Sequence, residues 1–131
     1  MGLARFAVSL AVLVSIPAAA EELASRASVI DGDTIEIHGQ RIRLWGIDAP
    51  ESDQLCRGDD SEFYRCGQKA ALGLAAMLNA VPRPVVCSSA GLDQYGRTVA
   101  VCRLGSDGPD IAHWLVSNGH ALDRPQYSKG K

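Results

Sequence analysis

A small α+β barrel, mainly β, with about five strands and two short helices, is the fold this 131-residue sequence predicts. Three observations carry it. Apolar and polar residues alternate with period two on both sides of His38-Gly39. Two β-rich runs end in Cys87 and Cys102, and two stretches, after Gly67 and after Asp110, place apolar residues at helical spacing.

The first twenty residues read as an export signal outside that fold. Arg5 supplies a positive start, Phe6 to Ile16 is an apolar run interrupted only by Ser, and Ala18-Ala19-Ala20 offers a small-residue cleavage site before Glu21. The run is short for a bilayer span. The expected organisation is a signal peptide over 1–20 and one domain over 21–131, exported to the periplasm or secreted, with no stable membrane association after cleavage.

Within the domain, Ile35 and Ile37 alternate with polar neighbours, as do Ile42 and Leu44, so two strands flank a two-residue turn at His38-Gly39. That turn sets Ile37 opposite Gln40, Ile35 opposite Ile42 and Asp33 across from Leu44, close to Arg43. Residues 52–65 are polar and acidic and read as a loop. Ala71, Leu74, Ala75 and Leu78 then give an amphipathic helix from Gly67 to about Asn79, which Pro82 and Pro84 prevent from continuing. A strand to Cys87, a turn at Gly91 and a strand from Thr98 to Leu104 follow. Asp110 can cap a second helix whose Ile111, Leu115 and Val116 share a face, and Asn118-Gly119 supplies its left-handed stop.

Export places Cys56, Cys66, Cys87 and Cys102 in an oxidising compartment, where two disulfides are expected. Four cysteines allow three pairings. Reading the runs before Cys87 and Cys102 as neighbouring strands favours joining those two across the ladder, which leaves Cys56 with Cys66 to clasp the loop. A zinc site is the rival, but CxxC spacing is absent. The formal charge of -2 becomes -3 once Arg5 leaves with the signal. A chain without a basic cluster does not hold nucleic acid by bulk electrostatics. Any polyanion must be met through a few placed arginines and a metal ion.

Chemistry concentrates between Val29 and Glu51. Asp33, Asp48 and Glu51 are expected to converge with Arg43, Pro50 stiffening the segment. Gathered carboxylates repel, and a bound cation, a counter-charge such as Arg43, or a retained proton relieves them. For Asp33 a plain turn role in D-G-D is the competing reading.

The motifs V-I-D-G-D-T at 29–34, R-L-W-G-I-D-A-P-E at 43–51, C-G-Q-K-A at 66–70 and D-Q-Y-G-R at 93–97 stand in an order and at spacings that resemble the staphylococcal nuclease (thermonuclease) family, over nearly all of residues 27–128. The resemblance implies a five-stranded OB-fold barrel and calcium-dependent hydrolysis of phosphodiester bonds in DNA and possibly RNA, with little sequence preference. It implies metal ligation by the carboxylates of Asp33 and Asp48 and the main-chain carbonyl of Ala49. Glu51 would be the general base and Arg43 and Arg97 the phosphate contacts. Tyr95 and Tyr127 would contact the nucleotide, and Asp31 and Asp93 would support the site. Nucleic acid is the expected partner, with no protein partner evident. Gln94 departs from a family Lys, and His120 and Arg124 stand where relatives often carry Trp and Tyr. Relatives also continue past Tyr127-Ser128 into a helix that covers the barrel, whereas this sequence stops at Lys131, so that C-terminal helix is expected to be missing. The alternative function is a non-catalytic OB-fold module that binds oligonucleotide or a protein partner.

Overall fold

The structure, a computed structural model, describes residues 2–4, 6–13 and 22–125. The signal cleavage site, Tyr127 and the chain end after it lie outside the described residues. Phe6, Val8, Leu10, Val12 and Leu13 are exposed and form no helix or strand. Among the described residues no helix is long and apolar enough to cross a membrane.

The elements are β1 (Glu22–Ser25), β2 (Ser28–Asp31), β3 (Thr34–Ile37), β4 (Gln40–Leu44), β5 (Ile47–Asp48), β6 (Cys56–Arg57), β7 (Phe63–Tyr64), α1 (Cys66–Asn79), β8 (Val85–Leu92), β9 (Thr98–Leu104), α2 (Ile111–Ser117) and β10 (Leu122–Asp123). Six form one sheet in the order β1-β8-β9-β4-β3-β2. Its ladders are antiparallel except β4 with β9. The four strands placed in the sequence are present as β3, β4, β8 and β9, and β1 and β2 add the two edges.

The hydrogen-bonded order is open: β1 and β2 are its two edges and do not pair with each other. The sheet nevertheless curls. In a flat sheet of six strands the edges would stand about 24 Å apart. Only Arg26 and Ala27 separate β1 from β2, a link that spans at most about 11 Å between flanking Cα atoms. The shape is therefore barrel-like without a closing ladder, mainly β with two helices.

The β3–β4 hairpin has the expected register, with Ile35 opposite Ile42 and Ile37 opposite Gln40. Both turn residues, His38 (φ 51°) and Gly39 (φ 76°), are left-handed, as the right-handed strand twist requires of a two-residue connection. Ile35, Ile37, Ile42 and Leu44 are fully buried with Leu74, Ile111 and Leu115. Each such side chain contributes about 1.5–3 kcal/mol through removal from water.

Three readings change in detail. The buried stripe of α1 runs through Ala70, Leu74 and Met77, while Ala71, Ala75 and Leu78 are half-buried beside it. The reason is close docking of Ala70 on Gly32, where an added Cβ would lie 2.8 Å from the Ala70 Cβ. Gly91 is no turn: at φ 113° it forms an irregularity inside β8, and the chain reverses at Asp93 to Arg97, where Gly96 has φ 77°. The acidic loop contains a small β6–β7 hairpin. Both expected disulfides are present, Cys56–Cys66 and Cys87–Cys102, the latter between directly opposed residues of β8 and β9.

Candidate active site

Asp33 is the centre from which the site can be built. It is 7% exposed and lies in the turn between β2 and β3. A buried carboxylate needs partners, because desolvation penalises an unpaired charge. Its Oδ1 accepts from the Thr34 hydroxyl at 2.9 Å and its Oδ2 from the Ala49 N–H at 2.9 Å. Its main-chain carbonyl accepts from the Leu44 N–H at 2.8 Å, the pairing across the hairpin that the register predicts. One residue thus ties the β2–β3 turn to the end of β4 and to the segment after β5.

Arg43 projects from β4 onto the same point. Its Nη2 is 3.2 Å from Asp48 Oδ1 and 3.6 Å from Asp33 Oδ2. The two carboxylates therefore converge on one cationic position. Glu51 does not join them, which corrects the expected convergence of three acids. Its side chain is exposed, and among the described residues no group of three or more His, Cys, Asp or Glu is arranged to hold a metal. The reason lies in its backbone. The Glu51 carbonyl accepts from the Gln54 N–H at 2.8 Å and its N–H donates to Gln54 Oε1 at 3.3 Å, a tight turn that fixes the main chain and leaves the carboxylate in solvent.

That segment is clamped from two further sides. The Ser52 hydroxyl donates at 2.6 Å within reach of both Asp31 Oδ1 and the Ile30 carbonyl, and the Ser52 N–H donates to Asp31 Oδ1 at 2.8 Å. This is the supporting role expected of Asp31. Against the opposite side packs Gly67 at the start of α1, where an added Cβ would stand 1.6 Å from the Glu51 carbonyl oxygen. The sequence did not single out Ser52, one polar residue among many in an acidic loop, and it marked Gly67 only as part of the C-G-Q-K-A motif at a helix beginning, not for its contact with Glu51.

Arg97 is positioned by the turn between β8 and β9. Asp93 Oδ1 accepts from the N–H groups of Tyr95 (2.9 Å) and Arg97 (2.8 Å), and Asp93 Oδ2 accepts from Arg97 Nε at 2.6 Å. Burial acts to raise the Asp93 carboxyl, but the hydrogen bonds from Arg97 and Tyr95 and the Arg97 charge outweigh it and hold the group below its ordinary value of 3.8. The Arg97 guanidinium lies 5.3 Å from the centroid of the Tyr95 ring, which is itself exposed. Arg43, Tyr95 and Arg97 line one cavity of about 430 Å³, together with Trp45, Asp93 and Gln94. Arg43 and Arg97 therefore line the same cavity. Tyr127 lies outside the described residues, and at Ala49 it is the N–H that meets Asp33.

The donor set admits a hard divalent cation of loose geometry. Two carboxylates already face one positive charge, and calcium takes about six to eight oxygens, so water would supply most of the shell.

The family described as staphylococcal nuclease homologue matches this chain over residues 41–131, a span that takes in Arg43, Asp48, Glu51 and Arg97. The succinoglycan biosynthesis protein ExoI of Rhizobium meliloti (strain 1021) is 48% identical over 112 residues, 86% of this chain and 58% of that protein. Protein ParB of Escherichia coli is 38% identical over 100 residues, 72% of this chain and 50% of its own length. The chain thus spans little more than half the length of these relatives.

Proposed function

The chain belongs to the staphylococcal nuclease family, and on that premise we propose that it is an exported, calcium-dependent nuclease that hydrolyses phosphodiester bonds of DNA, and of RNA where a strand is accessible. The observation that carries this reading is the sharing of one cavity by Arg43 and Arg97, with Arg43 paired to Asp33 and Asp48. Phosphoryl transfer gains most from positioning and charge stabilisation, and a guanidinium fork meets two phosphate oxygens at once.

Asp33, Asp48 and the main-chain carbonyl of Ala49 are the groups that would hold calcium, which when bound supplies positive charge at a non-bridging phosphate oxygen. Arg43 then exchanges one of its carboxylate partners for the substrate phosphate. Arg97, held by Asp93, donates from the other side of the cavity. Glu51, free in solvent on a clamped backbone, accepts a proton from the attacking water as the new P–O bond forms and the bond to the leaving sugar oxygen breaks. Tyr95 offers a face to a base. The two disulfides are compatible with an oxidising compartment.

One observation favours the non-catalytic reading: the exposed Glu51 carboxylate is not gathered with the other two. A single assay separates the readings. Single-stranded and supercoiled DNA incubated with calcium should be cut, and a chelator should abolish cutting. Binding without any cleavage in calcium would leave only the binding module.

A further inference from the structure

A second cavity, of about 390 Å³, adjoins the first. The two meet at the Arg43–Asp48 ion pair: Arg43 lines one, Asp48 the other, and their charged atoms are 3.2 Å apart. Besides Asp48 the second cavity is lined by Tyr64 from β7, Lys69 from α1, His120 from the segment joining α2 to β10, and Leu122 from β10 itself. Pairing of Leu122 with Asp48 in the β5–β10 ladder holds this wall against the site.

Three of these side chains suit a nucleotide. Lys69 is exposed and makes no ion pair among the described residues, so its ammonium is available to a phosphate. The His120 ring is fixed from two sides. It stacks on Trp114 with centroids 5.6 Å apart, and it sits so close to Gly73 that an added Cβ there would be 2.7 Å from the ring. Tyr64, 46% exposed, stands on a hairpin whose base is joined to α1 by Cys56–Cys66. A cation beside two aromatic rings is the combination that holds single-stranded nucleic acid through its backbone and base faces. The first cavity has the same combination in Arg97 with Tyr95 and Trp45.

We infer that the second cavity is a subsite for the nucleotide on the opposite side of the scissile phosphate from the Arg97–Tyr95 cavity, with Lys69 contacting the flanking phosphate and Tyr64 and His120 contacting the base. This rests on the nuclease reading for the identity of the polymer. The paired cavities make a single strand of two or more nucleotides the preferred ligand.

Binding of a dye-labelled single-stranded tetranucleotide and of a labelled nucleoside monophosphate to the full chain, measured by fluorescence anisotropy in chelator over a range of salt, tests the subsite apart from catalysis. Lys69→Ala should weaken tetranucleotide binding about five- to tenfold and lower the slope of log K against log salt by about 0.7, the value for one single-strand phosphate contact. Mononucleotide binding should not change. Tyr64→Ala should weaken the tetranucleotide at least about fivefold with the slope intact. Lys69→Arg should restore both affinity and slope. An unaltered affinity and slope in Lys69→Ala, an equal loss for mononucleotide and tetranucleotide, or no tetranucleotide binding by the wild type would each overturn the subsite. Cleavage by the wild type in calcium is scored separately. Its absence alongside the expected Lys69 effect overturns the catalytic reading and leaves the subsite standing.

Discussion

At the scale of single residues, the site divides into groups that are held and one that is free. Asp33 is committed through both oxygens, Arg43 lies between two carboxylates, and Arg97 is locked to Asp93, whereas Glu51 is exposed and its carboxylate makes no ion pair among the described residues. Glu51→Gln removes basicity and keeps shape, so turnover should fall about 10²–10⁴-fold with the unfolding midpoint unchanged. Steady-state cleavage in calcium beside a denaturant melt checks both halves. Arg43→Lys and Arg97→Lys keep the charge but lose the fork, and each should cost about 10²–10³ in kcat. Asp93 adds a pH dependence whose sign is fixed. Its folded pKa lies below the ordinary 3.8, so the stability it gives the turn is full above the unfolded value and is lost as pH falls through the lower folded value. A carboxyl titration followed by NMR should place the Asp93 midpoint below that of an unstructured Asp. Asp93→Asn should remove this part of the acid dependence and loosen Arg97.

At the scale of elements, two contacts decide where the Glu51 segment sits. Helix α1 begins with Cys66-Gly67, and these residues act together: the disulfide to Cys56 fixes the loop while the bare Cα of Gly67 admits the Glu51 carbonyl. Gly67→Ala would place a methyl group 1.6 Å from that oxygen, so helix and loop must separate. Overpacking of this kind costs about 1–3 kcal/mol. Activity should fall further than that stability loss explains, because displacement moves Glu51, the proposed general base. Urea unfolding and cleavage rates on the same protein sample test it, and an active, equally stable Gly67→Ala would show that the segment is not held here. Gly32 has the same function on the other side, admitting Ala70 and Ala49 beside the Asp33 turn.

For the molecule as a whole, the Cys87–Cys102 bond staples the β8–β9 ladder of the open sheet across 15 residues of sequence. A loop of that size contributes about 3 kcal/mol through the unfolded state. Cys87→Ala with Cys102→Ala should lower the unfolding free energy by about 2–4 kcal/mol with the ligand-free fold retained, which denaturant titration measures directly. Calcium at about 100 times its Kd should return about 2.7 kcal/mol if it binds only the folded chain.

The hairpin register, both helices and the cysteine pairing were legible in the sequence. They depend on local periodicity, turn chemistry and spacing, as Ile35 opposite Ile42 and Asp110 capping α2 illustrate. Other features depend on contacts between distant segments, which a single sequence does not record. The strand Glu22–Ser25 exists because it pairs with β8, since four residues carry too little pattern to announce a strand. The stripe of α1 turned by one position because Gly32 lets Ala70 approach. Carboxylate spacing alone brought Asp33, Asp48 and Glu51 together. The tertiary structure kept only the first two on Arg43, because the Gln54 turn, the Asp31–Ser52 clamp and Gly67 fix the backbone at Glu51 and leave its side chain in water.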